Sequence, residues 1–226
     1  GRGTAGGRRF GGTCCFGRDV DDWFAMFDGV EFETFVLMGD LRGAMIATVA
    51  AGTFPHRVNN LNLIEGMIPP VLAANEAPAQ LAKSITEKKI YKARRRTVYP
   101  SFNAAVEARQ NGLFKLSPGE ARALAEWGVE GEDERFSWRY DTEVMMPSSL
   151  RLSKEQVVSF INNITASIRL VLGDRGIYPE ISEPMALVKS RVVKMNILEG
   201  CTNIHMEEQK LASPDFSGGR KEAKTL

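Results

Sequence analysis

The sequence predicts an α/β fold: a mostly parallel sheet flanked by helices and interrupted by a helical insertion. Three observations predict it. A strand-like run, a helix of small residues and a second strand-like run follow one another between Phe35 and Ile64. Such a βαβ unit has parallel strands and a right-handed crossover. Residues 67–150 then carry helical signals with few strand signals. Strand character returns at Ser167–Leu172 and Val192–Ile197, so α/β material flanks the insertion, as in a core domain with a cap.

Each element has its own local signal. Residues 1–18 hold seven glycines in the first seventeen positions and read as loop. Asp19–Asp28 reads as a helix, because Val20, Trp23, Phe24 and Phe27 form one apolar stripe. Asp19, Asp21 and Asp22 suit the positive end of its dipole. Phe35–Met38 is a continuous apolar run ending at Gly39, which suits a strand buried on both faces. Residues 43–51 form the helix of small residues, closed by Gly52 and Pro55, and Leu61–Ile64 is the next strand.

In the insertion, Pro69-Pro70 opens the segment, and Ser117-Pro118-Gly119-Glu120 has the form of a capped helix start. Lys92–Arg96 is a basic run, read as a solvated helix face, with a binding patch for an anion as the alternative. Ser153–Gln156 is a second capping box, leading into Val157, Phe160, Ile161 and Ile164. The predicted segments are therefore a first core part, 1–66, a helical cap, 67–150, a second core part, 151–208, and a flexible polar tail, 209–226.

Bulk composition excludes several classes. With 29 basic and 28 acidic residues the net charge is +1, which argues against a nucleic-acid partner. No apolar run is long enough to span a bilayer, and no signal peptide is expected. The expectation is a cytoplasmic protein with no membrane span. Cys14, Cys15 and Cys201 show no metal spacing and read as free thiols. No metal site and no cofactor are expected. Trp23, Trp127 and Trp138 read as packing residues.

The segment Phe35–Thr48 resembles the strand, elbow and helix of α/β-hydrolases, in which Gly-x-nucleophile-x-Gly separates strand from helix. Phe54–Val58 and Leu61–Glu65 are similar to the stretch that follows, and Gly1-Arg2-Gly3 to the glycine-rich loop that precedes. Val98–Ser101, Phe136–Asp141 and Leu150–Gln156 resemble the cap of the serine-hydrolase-like branch. Leu170–Glu180 resembles the strand and loop after the cap, and Leu198–Glu207 the histidine loop. The likeness covers residues 1 to about 208. The strands and first oxyanion-hole loop that the family places earlier are not in the chain, which predicts an N-terminal truncation.

The resemblance implies hydrolysis of an ester or acyl bond by a nucleophile, a histidine and an acid. Gly39 and Gly43 keep the elbow spacing, but Leu41 stands at the nucleophile position, and leucine has no lone pair to attack with. Matching Gly200 to the family's glycine puts Thr202 at the histidine position, and threonine cannot shuttle a proton near neutral pH. The acid is Asp174 or Glu65. The backbone N–H of Arg42 is one oxyanion donor. Asp40, read as a pocket-floor residue or a partner of Arg42, and His205, read as a loop histidine, are the only near substitutes. His56 is read as a surface residue.

Three functional readings follow. The first is a catalytically inactive relative, or pseudoenzyme, that binds a small apolar or acyl ligand under its cap, or a protein partner. The second is an active hydrolase rebuilt on Asp40 and His205. The third is a partial gene product. Ligand identity and oligomeric state are not legible from the residues.

Overall fold

Among the described residues, short apolar-rich strands form a four-stranded parallel sheet in the order β1-β2-β5-β6. The strands are β1 Phe35–Asp40, β2 Val58–Ile64, β5 Ser167–Gly173 and β6 Val192–Leu198. The computed structural model describes residues 16–29, 32–93, 95–112, 115–140, 146–176, 192–200 and 203–207. These gather into two units, residues 75–150 and, around the sheet, residues 16–74 with 151 onward.

In the sheet unit, beyond the register irregularity between Phe35 and Val36, odd-numbered positions of β1 and β2 face one side. Leu37, Leu61 and Leu63 join Ile168, Leu170 and Leu172 in a single apolar core there. Helices α1 (Phe16–Asp28), α2 (Arg42–Thr53) and α6 (Lys154–Asn163) cover that side. Gly52 lets α2 and α6 cross closely, because a Cβ there would collide with the backbone of Phe160. On the opposite side Ile64 and Val171 pack with Ile204 of a short helix, α7 (Ile204–Glu207). Register places Asp40, Ile64, Val171 and Asn196 in one cross-strand row on this second side.

Helix α1 begins at Phe16, so residues 16–18 are helical where loop was expected. Val20 and Phe24 are buried, and Trp23 and Phe27 pack against the same core. The expectation that β1 is buried on both faces is corrected. Val36 and Met38 are 61% and 57% exposed. The cause is position: β1 is the outer strand of the described sheet, and α2 covers only its Leu37 side. A continuous apolar run does not distinguish a central strand from an edge strand with one covered face.

Residues 75–150 contain helices α3 (Ala77–Ala93), α4 (Phe102–Gln110) and α5 (Pro118–Gly128). The Ser117 hydroxyl caps the Glu120 N–H while the Glu120 carboxylate accepts from Ser117 N–H, as the sequence predicts. The unit also holds a hairpin that the sequence did not announce, β3 (Val129–Glu132) with β4 (Arg135–Trp138). Its two-residue turn, Asp133-Glu134, has both φ angles positive, at 46° and 61°. That conformation normally selects asparagine or glycine, so a run of charged residues gave no hairpin signal. Trp138 packs on Gly128 and donates to the Ala105 carbonyl at 3.3 Å, whereas Trp127 is exposed, contrary to its expected packing role. Gln80, Ser84 and Lys88, one turn apart on α3, tie down the carbonyls of Ser148 and Pro147 and the hydroxyl of Ser149.

Candidate functional site

Strand β1 ends at Asp40, and α2 starts at Arg42. Leu41 between them takes φ 49°, ψ −116°, a backbone state that L residues other than glycine rarely adopt. The surroundings enforce it. Leu41 N–H donates to the Ile64 carbonyl at 2.9 Å, and the Leu41 carbonyl accepts from Met45 N–H at 3.2 Å. The strained strand-to-helix turn expected of the Gly39–Gly43 segment is therefore present, and a half-buried leucine stands at its tip.

The glycines around the turn divide unequally. A Cβ on Gly39 would lie 2.5 Å from the Gly43 carbonyl oxygen and 2.6 Å from Ala44 N, so no side chain fits there. A Cβ on Gly43 would meet nothing within 4 Å, so packing does not demand that glycine. Gly66, which the sequence reading passed over, does carry a packing demand. Its added Cβ would sit 2.7 Å from the Leu41 carbonyl oxygen. A glycine directly after a strand was the available signal.

Arg42 does not pair with Asp40, as the sequence reading allowed. Its guanidinium binds the Asp19 carboxylate of α1 and lies 5.1 Å from the centre of the Phe16 ring. This fixes α1 against the start of α2. As the first residue of α2, Arg42 has a backbone N–H with no intrahelical acceptor, which suits the oxyanion role expected of it.

Both candidate acids hold strand ends together. Glu65 is fully buried just after β2, at φ 50°, and its N–H donates to the Val171 carbonyl at 2.9 Å. Its carboxylate accepts from Gly173 N–H and fills the space beside Gly176, which could not carry a Cβ. Asp174 Oδ1 accepts from Gly200 N–H at 3.0 Å, and its own N–H donates to the Leu198 carbonyl at 2.9 Å. The two carboxylates thus pin the ends of β5 and β6 through backbone amides.

Thr202 lies outside the described residues, as do Cys14, Cys15 and Cys201. His205 lies on helix α7, whose Ile204 is fully buried against Ile64 and Val171. That anchor brings His205 Nδ1 to 3.6 Å from Asp40 Oδ1. Both atoms are shielded from solvent and neither has a hydrogen-bond partner. Burial raises the Asp40 carboxyl above its ordinary range, and the charge of His205 opposes that rise. Asn196 Oδ1 and Asn203 Nδ2 are likewise shielded and without a partner. Asn196, a polar residue inside an apolar strand, was the sequence signal for this wall. His56 is exposed, as expected. Among the described residues no three His, Cys, Asp or Glu side chains cluster as metal ligands would, and no helix is long and apolar enough to cross a membrane.

No protein-family model and no curated protein matches the sequence. Solved structures do match. A hypothetical protein of Pseudomonas aeruginosa is 27% identical, with a TM-score of 0.87 over 94% of this chain and 76% of its own. The thioesterase domain from the curacin biosynthetic pathway is 20% identical, with a TM-score of 0.71 over 88% and 71%. A Mycobacterium tuberculosis esterase is 14% identical, with a TM-score of 0.67 over 94% and 71%.

Proposed function

Because this chain has the α/β-hydrolase fold, we propose that it binds a small apolar or acyl compound at its elbow without attacking it. The nucleophilic route that the fold resemblance implies is closed, and the ligand is held non-covalently. The observation that carries this reading is Leu41 at φ 49°, ψ −116°. The turn keeps a conformation that costs about 1–3 kcal/mol for a non-glycine residue. It presents a hydrocarbon where an attacking oxygen would have to stand.

Support also comes from the two carboxylates, Glu65 and Asp174, which are engaged with backbone N–H groups at strand ends. An acid spent on holding the scaffold is consistent with a turn that has no nucleophile to activate.

Two measurements test the reading. Incubation with a fluorophosphonate probe, followed by intact-mass analysis, is expected to give no adduct within residues 39–43. Calorimetric titration with octanoic acid is expected to show saturable binding, weakened roughly tenfold or more by Leu41→Asp, since a charge replaces apolar contact area. A stoichiometric adduct on the elbow segment, or no binding at all, overturns the proposal.

A further inference from the structure

We propose that Asp40 and His205 form a general-base pair that activates water against an acyl ester held at the elbow, with no covalent intermediate. The inference rests on the reading that the elbow holds an acyl compound non-covalently. It adds a slow chemistry that needs no side-chain nucleophile.

The placement follows from the fold. Asp40 occupies the last position of β1, immediately before the tip residue Leu41. It shares a cross-strand row with Ile64 and Val171, and Ile204 packs on those two residues. The next residue along α7 is His205, so packing of one isoleucine delivers the imidazole to the carboxylate, 3.6 Å away. The facing atoms, Oδ1 and Nδ1, are sealed from solvent and have no other partner. The side chains as a whole remain 37% and 33% exposed. The second ring nitrogen, Nε2, therefore lies on the side of the ring turned away from Asp40.

This geometry assigns distinct tasks. A carboxylate at Nδ1 favours the tautomer with hydrogen there, which leaves Nε2 as the proton acceptor. The 3.6 Å separation exceeds a hydrogen bond, and such contacts commonly tighten when substrate binds. Burial holds the Asp40 charge in a poorly solvated site, where an imidazolium beside it is a favourable neighbour. No other side chain partners either facing atom.

The reaction balances without a cofactor. Nε2 takes a proton from water as the water oxygen bonds to the acyl carbon, and the carbonyl electron pair moves onto its oxygen. The backbone N–H of Arg42 stabilises that oxyanion. Collapse of the intermediate re-forms the carbonyl and breaks the ester C–O bond. The proton on Nε2 passes to the departing alkoxide, giving an acid and an alcohol. Asp40 takes no part in the proton transfer and positions His205.

Hydrolysis of p-nitrophenyl butyrate by the full chain, corrected for the buffer reaction, tests this from pH 5 to 9. The expected result is a kcat/KM that rises through one titration, a rate lowered in D2O, no burst and no acylated protein after acid quench. His205→Ala and His205→Gln are expected to lose about 100-fold or more. Asp40→Asn is expected to lose about tenfold in kcat with KM unchanged, because the ring is no longer held in the tautomer that frees Nε2. A purely structural pair would not separate kcat from KM in this way. Absence of hydrolysis above buffer, or full activity in both His205 variants, overturns the general-base pair while leaving the binding reading intact. A burst with an acyl adduct on residues 39–43 overturns the non-covalent reading itself.

Discussion

Asp40 is a carboxylate kept where burial works against its charge. A raised carboxyl value means that the native chain holds the proton more tightly than the unfolded chain. Stability from this group is therefore greatest below the ordinary carboxylate range and declines as pH rises through the interval up to the raised value. Asp40→Asn removes that decline. The expected outcome is a melting temperature at pH 7 higher by roughly 1–3 °C and a stability profile that falls less as pH rises above the ordinary carboxylate range, measured by circular dichroism. A lower melting temperature at pH 7 would mean that attraction to His205 outweighs desolvation. The glycines make a second residue-scale prediction. Gly39→Ala and Gly66→Ala force backbone apart and are expected to destabilise by about 1–3 kcal/mol. Gly43→Ala, with open space at its Cβ, should leave stability unchanged or slightly raised. Equal losses at all three positions in urea titrations would refute the distinction.

Among the elements, those with strong local chemistry could be read from the sequence, and those set by long-range context could not. Both capping boxes form as the residues predict, at Ser117 with Glu120 and at Ser153 with Gln156. Ser153→Ala is expected to cost about 1 kcal/mol, read from the denaturation midpoint. The hairpin at residues 129–138 stayed hidden because Asp133 and Glu134 adopt φ angles that charged residues seldom take. Replacing the pair with Asn-Gly should stabilise the chain by roughly 0.5–1 kcal/mol. No gain in melting temperature would show that the present turn carries little strain. The pairing of Asp40 with His205 was equally illegible. It depends on Ile204 finding Ile64 and Val171, residues distant in the chain.

At the level of the whole molecule, the order of strands decides what the apolar patterning of β1 means. The βαβ unit and the parallel sheet were legible because their periodicity is local, whereas the outer position of β1 arises only when four separate strands assemble. Val36 and Met38 sit on the uncovered face of that strand. Exposed apolar patches favour association between chains. Val36→Lys with Met38→Lys should therefore reduce concentration-dependent light scattering without lowering the melting temperature by more than about 1 °C. A large drop in melting temperature would show that this face is covered in solution. The elbow itself was readable to the extent that its two glycines mark the turn. Its third packing demand, at Gly66, needed three-dimensional proximity to the Leu41 carbonyl.

The hold on position 41 is exerted through main-chain atoms: the Ile64 carbonyl, Met45 N–H and the close passage of Gly66. None of these contacts reads the identity of the side chain. The turn is consequently a socket with a fixed aim. A cysteine installed there would project its sulfur along the direction the leucine now takes, so a thiol-reactive fluorophore could be mounted at one defined spot and would report, by its colour and lifetime, whatever molecule comes to rest beside it.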